Sequence, residues 1–153
     1  MDDYPAICPL LDELDDQHVR MRPDVFQPVG DSIRQRERIA RFVNQDDAEL
    51  FVAEINSTIV GLATVRVSPN PDAPMVRAGS CACLNDLVVK SEFRGSGIAK
   101  MLVDRVTEWT QSRKLPCLLI NVWHDNKTAL SFFTTHGFMP RCQQMELRID
   151  KAT

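Results

Sequence analysis

The stretch from Leu84 to Lys100 carries residue types that could bind a phosphate group. Its first part, Leu84 to Val89, is apolar and β-branched, which predicts a strand, and helical spacing of apolar residues begins after Gly97. The first amides of a helix lack internal partners, and the helix dipole adds partial positive charge there. Gly95 and Gly97 allow close approach of the backbone to a ligand, and Arg94 adds a cation. The pattern predicts a diphosphate site.

Two widespread phosphate-binding signatures do not fit this loop. The chain contains no Gly-x-x-x-x-Gly-Lys-Ser/Thr, which excludes a Walker loop. Lys100 stands where the dinucleotide fingerprint needs its third glycine. The remaining pattern, Arg94-x-x-Gly97-x-Ala99, resembles the coenzyme A motif Arg/Gln-x-x-Gly-x-Gly/Ala of the GNAT superfamily of acyl-CoA-dependent N-acetyltransferases. A plain strand-to-helix turn is the alternative interpretation.

A second match to the same superfamily lies between Asn126 and Phe138. It resembles the helix motif Asn-x-x-Ala-x-x-Phe-Tyr-x-x-x-Gly-Phe, with Phe133 in the place of the tyrosine. Asn126 is a good N-cap, and Gly137 suits the left-handed end of a helix. One predicted helix and one predicted strand separate the two motifs, as in the family. On these grounds the sequence is identified as a member of the superfamily, with the resemblance covering about Phe51 to Ile149.

The predicted fold class is α/β. The resemblance implies a mixed, mostly antiparallel twisted sheet with a parallel, splayed strand pair, flanked by helices, in one domain over residues 1–153. GNAT chains usually begin with a strand, and this sequence has almost nothing before Asp3. A late start, a dispensable strand and an edge supplied otherwise all remain open. The predicted elements are helices from about Pro5, from Ser32 to Asn44, from Gly97 to Arg113 and from Asn126 to Gly137, and strands Glu49–Ile55, Thr58–Val67, Ser80–Val89, Cys117–Trp123 and Gln144–Ile149.

The resemblance implies acetyl-CoA as cosubstrate. The diphosphate would rest on backbone amides of the glycine loop, and the pantetheine arm would enter between the two splayed strands and pair with Leu87 and Val89. Asn126 matches the family position that contacts the arm, and Phe132 the one that packs beside it. The full set of expected cofactor residues is Leu87, Val88, Val89, Arg94, Gly95, Ser96, Gly97, Ile98, Ala99, Lys100, Asn126, Phe132 and Phe133.

Acetyl transfer to an amine needs a neutral nucleophile. An alkyl amine with a pKa of about 10 is only about one part in a thousand neutral at pH 7, so a base is useful. Asp86 is the candidate base, acting directly or through water; the alternative is that it orders the pocket or caps a turn. Glu54 and His124 are reserve candidates. The amide of Leu87 or Val88 would hold the carbonyl oxygen.

Tyrosine acid catalysis is absent from the predicted mechanism. Phe133 stands where the family often has a tyrosine that protonates the leaving thiolate, and Tyr4, the only tyrosine, belongs to a segment expected to be frayed. On the acceptor side, layout alone makes His18 and Phe26 weak candidates for substrate contact, and packing roles are the alternative. The acceptor would be a primary amine of a small molecule or peptide. The competing hypothesis is a catalytically weak or inactive CoA-binding sensor or assembly module.

Composition narrows the partners and the compartment. The net charge of −3 and the lack of a basic stripe argue against nucleic-acid binding, and no apolar run is long enough to span a membrane. Five cysteines without a Cys-x-x-Cys pair predict reduced thiols in a cytoplasmic protein, with no metal site and with Cys81 and Cys83 as small core residues. A closing strand at Gln144–Ile149 has an edge that needs covering, which predicts a homodimer.

Overall fold

The computed structural model of the chain describes residues 4–28, 32–43 and 45–149, the side chains of residues 32–34 excepted. As far as α4, helices and strands follow one another in the order expected from the sequence. A short 3-10 turn, Ser91–Phe93, separates the third strand from the third helix. The helices are α1 (Tyr4–Met21), α2 (Ser32–Ala40), α3 (Ile98–Ser112) and α4 (Lys127–Thr135), and the strands are β1 (Ala48–Ile55), β2 (Thr58–Pro69), β3 (Ser80–Val89) and β4 (Leu118–Ile120).

The four strands form one sheet in the order β1-β2-β3-β4. β1 and β2 pair antiparallel, β2 and β3 pair antiparallel, and β3 and β4 pair parallel. This confirms the predicted mixed, mostly antiparallel sheet with one parallel pair. Asn56 and Ser57 close the first hairpin with φ values of 47° and 60°, the left-handed conformation that two-residue hairpin turns favour.

Helices cover the sheet through apolar side chains. α1 places Ile7, Leu10 and Leu11 in the core, as its helical spacing predicts. α3 packs close to Gly61 of β2, where a Cβ atom would lie 3.1 Å from side-chain carbons of Ile98 and Leu102. Glycine at this position therefore allows the helix to approach the sheet.

The chain divides into two compact units, Met1–Asn121 and Val122–Thr153. The first unit contains the sheet and α1 to α3. In the second unit, the Oδ1 atom of Asn126 accepts a hydrogen bond from the amide of Ala129, and Gly137 follows α4 with φ 87°, so both predicted helix ends are confirmed. The single-domain interpretation of residues 1–153 remains a prediction.

Two predicted strands differ from the structure, one entirely and one in part. Gln144–Ile149 is not a strand, and the side chains of Met145, Leu147 and Ile149 are 80–85% exposed. The strand predicted over Cys117–Trp123 forms only at Leu118–Ile120 and is half-buried. Alternation of apolar residues specifies which face would be buried, but a strand also needs a neighbour with which to pair its backbone.

The N-terminal helices also differ from expectation. Tyr4 is not frayed: it begins α1, packs against the core cluster and lies under the guanidinium of Arg36, 5.5 Å from its ring centroid. α2 ends at Ala40 and does not continue toward Asn44, which lies outside the described residues. No described helix is long and apolar enough to cross a membrane.

The structure contradicts the prediction of fully reduced cysteines. Cys81 and Cys117 form a disulfide, with their Cα atoms 5.3 Å apart. Each cysteine directly precedes a residue of the pair Ala82 and Leu118, which face each other in the parallel ladder. The two thiols therefore lie side by side across β3 and the start of β4, a neighbourhood that spacing along the chain does not reveal.

We expect three titratable thiols in the unfolded, unreduced protein. Cys8, Cys83 and Cys142 are free. Partial burial raises the pKa of the Cys83 thiol, so in the folded protein this group should react more slowly than exposed Cys142 at neutral pH. A thiol reagent in denaturant measures the count, and reduction beforehand should raise it to the five of the sequence. Five thiols without reduction would contradict the disulfide.

Candidate functional site

Strand β3 is paired on both sides only in its first half. The parallel ladder with β4 stops at the pair of Leu84 and Ile120, whereas β3 continues to Val89. The ladder with β2 is irregular at Asn85, which is skipped between Leu84 and Asp86. A bulge increases local twist and re-aims side chains. The irregularity in β3 therefore lies where its pairing with β4 ends.

The second half of β3 presents backbone groups at an open edge. The amides of Asp86 and Lys90 both donate toward β2, at 3.1 and 2.9 Å. Backbone groups alternate sides along a strand, so the amide of Val88 also faces β2. Leu87 and Val89 then direct their N–H and C=O groups to the opposite edge. This geometry suits the predicted roles of Leu87 and Val89, and it disfavours the amide of Val88 as an oxyanion donor.

The loop after β3 has the backbone conformation that the glycines predict. Gly95 and Gly97 have φ values of 76° and 86°, and Gly97 is the N-terminal cap residue of α3. A Cβ atom built on either glycine has no neighbouring atom within 4 Å, so the space beside both glycines is open. The loop thus combines a left-handed, accessible backbone with the unpaired first amides of a 15-residue helix.

Two cations of the loop are engaged by carboxylates. The Nη2 atom of Arg94 donates to Glu13 of α1 at 2.7 Å, and its Nε atom donates to the carbonyl oxygen of Val89 at 3.1 Å. The ammonium group of Lys100 lies 2.6 Å from Asp104, one turn further along α3. Ser96, between the two glycines, donates its hydroxyl hydrogen to the carbonyl oxygen of Phe93.

Asp86 belongs to a buried polar network that the sequence did not reveal. Its carboxylate is 7% exposed, and one oxygen accepts from Arg38 of α2 while the other accepts from the hydroxyl of Thr64 at 2.6 Å. Arg38 also donates to Asp15 of α1 at 2.9 Å, and the buried amide of Gln35 donates to that same carboxylate at 2.9 Å. The network joins both N-terminal helices to β3.

The network keeps Arg38 charged. Burial opposes the charge, but the nearby carboxylates of Asp86 and Asp15 outweigh it and raise the pKa of the guanidinium above its usual value. Both oxygens of the Asp86 carboxylate are engaged, one by this guanidinium and the other by the Thr64 hydroxyl. Thr64 could have been suspected from the strand register, since it lies opposite Asp86. Arg38 gives no comparable signal.

Four further predicted site residues, Glu54, His18, Phe26 and His124, are not part of the network around Asp86. Glu54 is exposed on β1, with β2 between it and β3. The rings of His18 and Phe26 pack on each other with centroids 5.1 Å apart, which favours their packing role; substrate contact stays a prediction. In the second unit, the His124 Nε2 atom lies 3.1 Å from the Nζ atom of Lys127.

The aromatic residues of the second unit form a cluster of their own. The ring of Phe133, 6% exposed, meets the rings of Phe132 and Phe138 edge-on, with centroids 5.1 Å from each. His136 packs on Phe132 at 4.2 Å. The cofactor roles of Asn126, Phe132 and Phe133 remain predictions from the resemblance.

Comparison with known proteins identifies the family. The sequence model of the acetyltransferase (GNAT) family matches residues 10–138. Because this match covers most of the 153 residues, the chain belongs to that family. The two motifs that carried the resemblance both lie within the matched region.

Solved structures share the fold at low sequence identity. A variant of the BH1408 protein from Bacillus halodurans is 20% identical, covers 97% of this chain and 94% of its own, and superposes with a TM-score of 0.87. An acetyltransferase from Vibrio fischeri is 21% identical over 79% of this chain and 89% of its own, with a TM-score of 0.63. The aminoglycoside N-acetyltransferase AAC(6')-Iy in complex with CoA is 14% identical over 90% of this chain and 87% of its own, with a TM-score of 0.69.

The open loop yields a prediction about cofactor affinity. The substitution Gly97→Asp places a carboxylate in the open space beside the loop backbone, where it would block and repel a diphosphate. Calorimetric titration should show acetyl-CoA binding at least about tenfold weaker, which corresponds to about 1.4 kcal/mol. Gly137→Asp is the matched control, because Gly137 has nearly the same φ, 87°, and similar open space outside the loop. Unchanged affinity in a folded Gly97→Asp protein would refute the phosphate assignment.

Proposed function

We propose that this protein transfers an acetyl group from acetyl-CoA to a primary amine by direct attack in a ternary complex. The observation that carries the proposal is the course of β3: its backbone edge is open at Leu87 and at the amide of Val89, and after the Ser91–Phe93 turn the chain enters the glycine loop and α3. One strand thus offers pairing for an extended pantetheine arm and then a cradle for its diphosphate. Membership of the GNAT family supports an acyltransferase.

The roles of the chain's own groups follow from this placement. Loop amides from Arg94 to Lys100 bind the diphosphate, and Leu87 and Val89 hold the arm. The outward amide of Leu87 stabilises the thioester carbonyl oxygen as negative charge develops on it. The amine nitrogen forms the new bond to the carbonyl carbon, the carbon–sulfur bond breaks, and the amine loses one proton to solvent.

The leaving group does not require a tyrosine. A thiol with a pKa of about 8.5 lies about 1.5 units above pH 7, equivalent to about 2 kcal/mol, so coenzyme A can leave as a thiolate. Phe133 in place of the tyrosine is therefore compatible with turnover. The acceptor is an amine of a small molecule or peptide, and neighbours in fold that act on aminoglycosides support a small molecule.

The amine requirement is tested by measuring free thiol released from acetyl-CoA with a panel of amines. We expect activity with at least one primary amine. The rate should rise about tenfold per pH unit below the amine pKa, because only the neutral amine attacks. Binding of acetyl-CoA without thiol release for any amine would favour the alternative function, a CoA-binding sensor or assembly module.

Asp86 acts, in this proposal, by holding Arg38 rather than by accepting the proton. Asp86→Asn should lower stability by about 1–3 kcal/mol in urea unfolding, because it leaves Arg38 and Thr64 with a weaker partner. Arg38→Gln breaks the same ion pair but leaves the carboxylate intact. If the role of Asp86 is to hold Arg38 in place, both variants should lose turnover to a similar extent, and both should keep the pH–rate profile of the natural protein. Normal or raised turnover in Arg38→Gln, together with an inactive Asp86→Asn, would instead identify Asp86 as the base.

We further propose that the protein is a cytoplasmic homodimer. Gln144–Ile149 is irregular, so a strand edge there does not support a dimer. The support comes from the exposed apolar side chains of Met145, Leu147 and Ile149, since such a row is costly to leave in water. Light scattering at micromolar concentration should give twice the chain mass of 17.3 kDa, and a monomer mass would refute the dimer.

A further inference from the structure

Glu13 of α1 engages the cation of the glycine loop across 81 positions of sequence. Its Oε1 atom accepts from the Nη2 atom of Arg94 at 2.7 Å. The side chains are 26% and 49% exposed, so the pair lies at the surface of the loop, where solvent and solutes reach it. The Nε atom of Arg94 is held separately by the carbonyl oxygen of Val89, which fixes the base of the guanidinium beside the end of β3.

The position of Glu13 is set by the packing of α1. Leu10 and Leu11, on the same helix, are fully buried against the sheet, so the helix cannot rotate freely. Asp15, two residues beyond Glu13, contacts Arg38 at 2.9 Å, and Arg38 also contacts Asp86. α1 therefore has one charged tether to the loop and another to α2 and β3.

We propose that Glu13 competes with the diphosphate of coenzyme A for the guanidinium of Arg94. The carboxylate thereby sets the cofactor affinity, and cofactor binding releases α1 from the loop. This inference rests on the proposed function, because it assigns a further role within the same site. Glu13 acts as a positioning residue and does not touch the reacting atoms.

Charge and geometry explain the competition. The Nη2 donor that faces Glu13 is not available to a phosphate oxygen as long as that hydrogen bond persists. A diphosphate carries more charge than one carboxylate and can accept two parallel hydrogen bonds from the guanidinium fork. If Glu13 remained in place, its charge would repel the diphosphate. An exposed ion pair contributes little to folding, so the exchange costs the protein little.

The release of α1 would couple cofactor binding at the loop to the helices that pack on β3. The same helix that meets the loop at Glu13 also meets α2 at Asp15, and α2 reaches β3 through Arg38. Once the first tether is broken, the second still holds α1 to α2, so the helix loosens on the loop side alone. Cofactor binding should therefore alter the dynamics of α1 before an amine binds.

The test is calorimetric titration of acetyl-CoA into the natural protein and into Glu13→Gln, which keeps the side-chain size and removes the charge. The Kd of the variant should be about two- to tenfold lower, because Arg94 is freed and a repulsive charge is lost. Glu108→Gln is the matched control. Glu108 forms a more exposed ion pair with Arg105 within α3, so the Kd of the Glu108→Gln protein should not change.

Hydrogen exchange of the α1 amides supplies a readout that a purely structural pair would not give. Saturating acetyl-CoA should speed exchange of the α1 amides near Glu13 in the natural protein by about two- to fivefold, the small effect that loss of an exposed ion pair allows. In Glu13→Gln the pair is already lost, so exchange there should not change on binding. An equal or higher Kd in a folded Glu13→Gln protein overturns this inference while leaving the proposed function intact. Failure of the natural protein itself to bind acetyl-CoA overturns both.

Discussion

The backbone pairing of β3 is the constraint on which the candidate site depends. Every buried N–H and C=O group needs a partner, and β2 supplies one along almost the whole of one edge. On the other edge β4 does so only as far as Leu84. The outward groups of Leu87 and the outward amide of Val89 lie beyond that ladder, while the Val89 carbonyl oxygen accepts from Arg94. In the proposed function, this one strand and the loop that follows it would position both the arm and the diphosphate of the cofactor.

Side-chain charges connect this strand and the loop that follows it to the two N-terminal helices. Asp86 is buried and needs a partner, since an unpaired carboxylate at such a depth would be costly. Arg38 meets that need and at the same time pairs with Asp15, while Glu13 pairs with Arg94. The exposed pairs contribute little stability individually. Their consequence is geometric, because α1 is placed against both the loop and α2.

Features that depend on residues close together in the sequence were predicted correctly, whereas contacts between residues far apart in the sequence were not. The left-handed glycines, the Asn56–Ser57 turn and the cap at Asn126 depend on a few neighbouring residues, and each appears where it was predicted. The Cys81–Cys117 disulfide and the pairing of Arg38 with Asp86 join residues 36 and 48 positions apart, and neither was foreseen. Gln144–Ile149 has the alternation of a strand without pairing as one, since alternation does not create a partner.

The sequence by itself determined the family, the order of elements as far as α4 and the left-handed glycines after β3, because these rest on residue types whose backbone preferences and spacing are local. Only the tertiary structure decided which edge of β3 is open, that the carboxylate of Asp86 is engaged by Arg38 and Thr64, and that Glu13 reaches Arg94. The physical reason is that these features depend on strand register and helix docking. Strand register and helix docking result from many weak contacts between residues far apart in the sequence, and no short sequence pattern predicts those contacts.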